Sequence, residues 1–378
     1  MKSIVIAAYV RSPFAFAGKG ALARVRPDDL AAQTLKGLVA RAGIDPATLE
    51  DVVLGCAFPE GEQGLNMARM VGFLAGFPLG VAGVTVNRFC GSSMQAVHQA
   101  AGAIQMGAGD AMLCAGVESM SRVPMLGFNP MPHPGLAKTF PQAYASMGET
   151  AENLARQYRI SRAAQEEFAV ASQTKAAQAQ AAGRFAAEIV PIQDGGQTID
   201  QDGCIRPGTS REALAELKPA FLEKGTVTAG TSSPLTDGAA ALLVCTEAYA
   251  AKHGLDPLAR IRAIAVSGCA PDCMGIGPVE SSRKAVARAG IALKDIDVIE
   301  MNEAFAAQAL ACIQDLDLDV ARINLDGGAI ALGHPLGATG ARIVGKAAAL
   351  LKRQKGRYAL ATQCIGGGQG IATVLEAL

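Results

Sequence analysis

Short runs that are apolar on both faces alternate along the whole chain with Ala-rich helical stretches. A strand can bury both faces only in a sheet covered by helices on each side. The alternation therefore confines the chain to an α/β architecture with a mainly parallel sheet. The expected strands are Ile4–Val10, Val52–Ala57, Gly83–Asn87, Ala111–Val117, Ala240–Thr246, Ile261–Ser267, Val298–Met301, Ile323–Asn324, Tyr358–Cys364 and Gly370–Leu375. Helical spacing predicts Asp28–Ala42, Ser92–Gln105, Ser161–Ala182, Ser281–Ala289, Glu303–Asp315 and Thr339–Arg353.

A weak internal repeat narrows this further. VTVNRFCGSSMQAVHQAAGAI leads into GAGDAMLCAGVES, and INLDGGAIALGHPLGATGARIVGKAAAL leads into GRYALATQCIGGG. Each unit reads strand, turn with a reactive residue type, helix, strand. Two similar α/β halves are expected, the first over residues 1–118 and 238–256, the second over 257–378. Between them, residues 119–237 are richer in Pro, Gln, Gly and charge and read as an inserted loop domain.

The totals exclude several classes. Lys plus Arg and Asp plus Glu are 34 each, so charge points to neither nucleic acid nor an acidic surface. With no Trp and 4% aromatic residues, base-stacking platforms are not expected. Nine scattered cysteines, several in apolar runs (Cys56, Cys114, Cys245), read as reduced thiols of a cytoplasmic protein. Cys269 and Cys273 lack a second ligand pair, so no metal site is expected. The start, MKSIVIAAYVRSPFAF, reads as a first strand rather than a signal peptide, and no window has the length of a membrane span.

Four residues carry the chemistry. Cys90, in VNRFCGSSM, ends an apolar run and precedes a helix; there the macrodipole favours thiolate, unless the cysteine is simply a small packing residue at a tight turn. His334, in GGAIALGHPLGATG, is held extended by Pro335 among glycines that let the backbone approach a ligand; a satisfied loop histidine is the plainer reading. Without a GK[ST] ending, that loop is a poor phosphate cradle. Asn302 is most simply an N-cap, with Glu303 in the first turn of its helix. Cys364 ends a strand and opens CIGGGQG, as a core thiol or as a second reactive group. All four fall at strand C-termini or just after them, the edge that lines the ligand crevice in α/β sheets.

Over nearly its whole length the chain resembles the thiolases, in NRFCGSSMQA, GTVTAGTSSPLTDGAAA, NEAFAAQ, NLDGGAIALGHPLGATGARI and CIGGGQGIA, in that order. The resemblance implies a thiolase fold, two βαβαβαββ halves in a five-layer αβαβα core with a loop domain inserted in the first half. It makes Cys90 the acylated nucleophile, His334 the group that takes its proton, and Cys364 the acid/base at the α-carbon of the acetyl unit. Asn302 is implied to hold a water that binds the thioester oxygen with His334. The N–H groups of Cys90 and Gly366 are implied to form a second oxyanion site. For coenzyme A it points to Ser233, Met147 and Arg206, the last toward the nucleotide phosphates. Ser146 before Met147, the VPM ending of Met120–Met125 and the form NLDGGAIALGHPLG resemble degradative 3-ketoacyl-CoA thiolases of bacteria.

The implied activity is thiolysis of 3-ketoacyl-CoA by CoA to acetyl-CoA and a shortened acyl-CoA, with CoA a co-substrate and no permanently bound cofactor. Condensation to acetoacetyl-CoA uses the same residues and is the alternative. A β-ketoacyl synthase generally has histidine or asparagine where Cys364 stands, and an inactive lipid-binding relative should lack one of Cys90, His334 or Cys364. The implied assembly is a homodimer or homotetramer, in some bacteria joined to a hydratase/dehydrogenase chain.

Overall fold

The computed structural model describes residues 2–378. Its strands are β1 (Ile4–Arg11), β2 (Ala15–Phe16), β3 (Asp51–Gly55), β4 (Ala82–Val86), β5 (Ala111–Ser119), β6 (Ile192–Asp194), β7 (Gln197–Ile199), β8 (Thr236–Thr246), β9 (Ala259–Gly268), β10 (Val298–Met301), β11 (Tyr358–Ile365) and β12 (Gln369–Glu376). All but β6 and β7 join one sheet, in the order β10-β11-β12-β9-β1-β8-β5-β3-β4 with β2 beside β8. The expected mainly parallel sheet is not found: only β3–β4, β3–β5 and β10–β11 pair parallel, and the other pairings are antiparallel, because apolar runs report burial on both faces and not strand direction. The two halves meet where β1 and β9 pair antiparallel, Val5 opposite Arg260 and Ile6 opposite Ala259.

The internal repeat has a topological counterpart. In the first half the sheet runs β4-β3-β5-β8-β1. In the second it runs β10-β11-β12-β9, and a parallel bridge between Ile299 and Ile323 lies beyond β10. That bridge occupies the place β4 holds in the first half. The expected strand Ile323–Asn324 shrinks to this contact because the Asn324 side chain, not its backbone, satisfies the end of β10: Oδ1 accepts from Met301 N–H (2.9 Å) and Nδ2 donates to Met301 O (2.9 Å).

Side-chain alternation sorts the layers. In β8, Ala239, Ala241, Leu243 and Cys245 face helices Pro27–Ala42 and Met67–Leu74, whereas Ala240, Leu242 and Val244 face the opposite way. That inner face packs on helices Ser92–Gln105 and Leu336–Gln354, which also carry residues of β10, β11 and β12 against their other side. Helices Gly277–Ala289 and Ala306–Leu316 cover the far face of the second half. This is the five-layer αβαβα arrangement of the thiolase fold. The two central helices touch closely at their N-termini: a Cβ on Gly340 would lie 2.2 Å from Met94 N. This contact places the turns before both helices side by side.

Between β5 and β8 lie helices Pro134–Thr139, Met147–Gln157, Arg162–Ala181 and Arg211–Ala215 and the β6–β7 hairpin. The sequence pattern predicts only the long helix here. Met147–Gln157 has a clear start in the sequence, since Ser146 and Glu149 form a capping box. Its apolar face packs on the second half, beside Met274 and Phe305.

Candidate active site

Cys90 is set by a tight reversal after β4. The Asn87 carboxamide accepts from Phe89 N–H (2.8 Å) and donates to Ala57 O (3.0 Å). Phe89 is forced to φ +43°, a strained left-handed conformation for an aromatic residue. The helix Ser92–Gln105 begins two residues after Cys90. Ala57, Leu336, Phe58 and Met120 wall the cysteine. Burial pushes the thiol up to about 11, and the nearby N–H groups of Gly366 and of Cys90 itself offset this only in part. The helix terminus alone predicts a thiolate; the structure corrects this, because desolvation in a walled site exceeds the dipole's help.

Gly333, at φ +103°, turns the chain out of the short helix Ala329–Leu332 into His334. The His334 N–H donates to Thr236 Oγ1 (3.1 Å), and the helix Leu336–Gln354 follows directly, three residues earlier than the pattern predicts. His334 Nδ1 is 2.6 Å from Thr339 Oγ1, and the Thr339 hydroxyl donates to Pro335 O (3.0 Å). Thr339 therefore accepts from Nδ1–H, which leaves Nε2 as the acceptor nitrogen. Burial first, and the Arg342 charge second, push this imidazole down to about 3.

Asn302 Nδ2 lies 3.3 Å from His334 Nε2, and Asn302 Oδ1 has no hydrogen-bond partner among the described residues. Asn302 is not an N-cap. The helix starts at Ala306 with Phe305 before it, so Glu303 is not in a first turn either. Glu303 is buried and accepts from Ser172 Oγ (2.6 Å), Asn324 Nδ2 (2.7 Å) and Ile330 N–H (3.2 Å). A buried carboxylate needs such donors, and they hold the segment out of the helix whose periodicity it continues.

Cys364 lies near the end of β11, opposite Gly370 in β12. Gly367 and Gly368, at φ +79° and +83°, close the hairpin and leave the Gly366 N–H turned toward Cys90. The Cys364 side chain packs with Met147, Met274, Ala304 and Phe305. Burial pushes its thiol well above the usual range, and charge on Cys90 adds to this. Gln363 ties the two cysteine loops together by donating from Nε2 to Cys90 O.

Of the expected coenzyme contacts, Ser233 Oγ and N–H both bond Ala304 O (3.1 and 3.0 Å), two residues from Asn302. Met147 Sδ lies 3.5 Å from where a Cβ on Gly366 would stand. Arg206 is farther out, its guanidinium 5.1 Å from the Phe16 ring centroid; among the described residues no side-chain hydrogen bond joins it to Cys90, His334, Asn302 or Cys364. The sequence reading also missed supporting residues. Thr236, Thr339 and Gln363 carry no signal, being ordinary polar residues in apolar contexts. Glu118 does carry one, as the lone carboxylate in AMLCAGVES. It accepts from the N–H groups of Ala57 (2.8 Å), Phe58 (3.2 Å) and Gly337 (2.8 Å) and from Gln63 Nε2 (2.8 Å), clamping the Cys90 wall to the helix after His334.

Two family models match, described as the thiolase N-terminal domain over residues 4–248 and the thiolase C-terminal domain over residues 255–377. A 3-ketoacyl-CoA thiolase of Bacillus subtilis (strain 168) is 46% identical over 389 residues, spanning 100% of this chain and 100% of the relative. The crystal structure of the Bacillus anthracis acetyl-CoA acetyltransferase superimposes with a TM-score of 0.92 at 41% identity, covering 100% of this chain and 99% of that one. Human mitochondrial 3-ketoacyl-CoA thiolase in complex with CoA gives 0.92 at 38% identity, covering 100% and 98%.

Proposed function

The chain belongs to the thiolase family, and from that membership we propose that it cleaves 3-ketoacyl-CoA with CoA, through an acyl-enzyme on Cys90. The observation that carries the reading is the meeting of the two cysteine loops beside the histidine turn: Gln363, next to Cys364, donates to Cys90 O, charge on Cys90 acts on the Cys364 thiol, and Leu336, two residues after the neutral His334, packs on Cys90.

His334 Nε2 takes the Cys90 proton as the sulfur attacks the 3-carbonyl. The C2–C3 bond breaks, its electron pair leaves as the enolate of acetyl-CoA, and Cys364 gives a proton to the α-carbon. Cys364, left as a thiolate, takes the proton of the CoA thiol as its sulfur attacks the thioester on Cys90; the shortened acyl-CoA leaves, and the freed Cys90 sulfur regains its proton from His334. His334, once protonated at Nε2, and Asn302 bind the thioester oxygen of the acetyl unit. The Cys90 and Gly366 N–H groups bind the oxygen of the tetrahedral adduct. Losing one such donor costs about 3–4 kcal/mol of barrier. Ser233 and Met147 face the pantetheine arm, and Arg206 meets the nucleotide phosphates.

Acetyl-CoA should leave an acetyl group on Cys90, read by mass spectrometry. Cys90→Ser should lose the adduct; Cys364→Ser should keep part of it yet lose thiolysis. Absence of any adduct on Cys90 overturns the reading in favour of a binding protein. Thiolysis across C4 to C16 substrates separates the degradative role from acetoacetyl-CoA synthesis; strict C4 preference would favour the latter. The oligomer we propose is a homodimer or homotetramer, supported by edge strand β4 with exposed Val84 and the neighbouring exposed Leu65, Phe73 and Leu79. We place the enzyme in the cytoplasm on the strength of its nine free thiols. No helix among the described residues is long and apolar enough to cross a membrane.

A further inference from the structure

A buried ion pair lies directly behind the Asn302–His334 contact. Glu300 stands two residues before Asn302, on β10 and its exit, so period-two geometry puts both side chains on one face. Arg342 follows Thr339 by three residues, one turn along the helix that His334 precedes. Arg342 Nη1 donates to Glu300 Oε2 at 2.7 Å, with the two side chains 1% and 0% exposed. The strand and the helix are thus joined by two rungs, Asn302 to His334 and Glu300 to Arg342.

The second rung is held by one strong bond. Glu300 Oε1 and Arg342 Nε and Nη2 have no partner among the described residues. Taking these charges out of water costs about as much as their attraction returns, so stability does not explain the pair. The first rung is long, at 3.3 Å, and too weak to set its own geometry. The Arg342 charge also disfavours a cationic imidazole on His334.

We propose that Glu300 and Arg342 are positioning residues that fix the distance between Asn302 and His334, and so govern the carbon–carbon step more than acyl transfer. This rests on the thiolase reading above. Acyl transfer needs the Cys90 and Gly366 donors and one proton acceptor. Stabilising the enolate needs both Asn302 and His334 in place.

The test compares two reactions of the whole enzyme: exchange of labelled CoA into acetyl-CoA, which breaks no carbon–carbon bond, and thiolysis of a 3-ketoacyl-CoA. The double variant Glu300→Met/Arg342→Met removes both charges together and should stay folded, with a melting temperature within a few degrees of the parent. Its thiolysis kcat should fall about 10–100-fold while exchange falls no more than about threefold and KM for CoA stays within about twofold. Glu300→Gln, which keeps the shape and an acceptor for Arg342, should show the same split at about 3–10-fold, and it alone decides if the double variant does not fold. Equal losses in both reactions, or unchanged thiolysis, overturn the proposal. A parent that performs neither reaction overturns the thiolase reading itself.

Discussion

Cys90 and His334 are held in opposite ways by one cause. Desolvation favours the neutral form of each, raising the thiol to about 11 and lowering the imidazole to about 3. A cysteine is uncharged below its raised value and a histidine is uncharged above its depressed one. Through the neutral range both therefore rest uncharged, and a charge appears only when substrate enters. Alkylation of Cys90 by iodoacetamide, followed by peptide mass spectrometry, should accordingly speed up about tenfold per pH unit from pH 7 to 10. A plateau below pH 8 would mean that a thiolate–imidazolium pair already exists. Thr339 fixes which nitrogen carries the proton. Thr339→Val removes the acceptor for Nδ1–H and should lower kcat about tenfold, while Thr339→Ser should restore most of it. At this scale the four candidate residues were legible from their shared place at strand C-termini or just after them. Thr339 and Thr236 were not, since only their position against His334 gives them work.

Reactive residues are delivered by the first turns of helices and the ends of strands, and glycine sets how tightly those pieces fit. A Cβ on Gly337 would fall 2.5 Å from Val117 O and 2.8 Å from Cys56 Cα, backbone that cannot step aside. One on Gly366 would meet nothing nearer than Met147 Sδ at 3.5 Å. Gly337→Ala should therefore unfold or inactivate the enzyme, whereas Gly366→Ala should melt within about 2 °C of the parent. Circular dichroism on heating distinguishes the two. Glu118 is the clamp between these elements. Glu118→Ala strands three N–H groups, two of them buried, and should cost about 3–5 kcal/mol in urea unfolding, against about 1 kcal/mol for Glu118→Gln. The helix begun at Glu303 in the sequence pattern fails here for a related reason. Donors from Ser172 and Asn324, far away in the chain, capture that carboxylate, and no local pattern encodes them.

Across the whole molecule, buried charges bolt the region between β5 and β8 onto the central helix. Arg11 bonds Glu188 (2.9 Å) and Asp202 (2.6 Å), and Lys346 reaches Glu188 (3.0 Å) and Asp326 (2.8 Å). Lys346 and Arg11 hold the Glu188 carboxyl below its ordinary value against its burial, and Asp326 is lowered by Arg353 and Lys346. A depressed acid stabilises the fold above its unfolded value, and that contribution is lost as pH falls through the folded value. Glu118 and Glu303, raised by burial, act with the opposite sign and regain stability on acidification. Glu188→Gln should thus cost about 3–5 kcal/mol at pH 7, with the gap from the parent closing toward pH 3, as urea titrations at several pH values would show. The sequence alone determined the α/β class and marked Cys90, His334, Asn302 and Cys364 as candidates, because apolar periodicity and residue type are local properties of the chain. Tertiary structure alone decided the charge states of Cys90 and His334, the tautomer, the clamps at Glu118 and Glu303 and the Glu300–Arg342 rung. Those depend on burial and on contacts that folding creates, from Thr339 five residues beyond His334 to Gly337 more than two hundred beyond Glu118, which a linear pattern does not record.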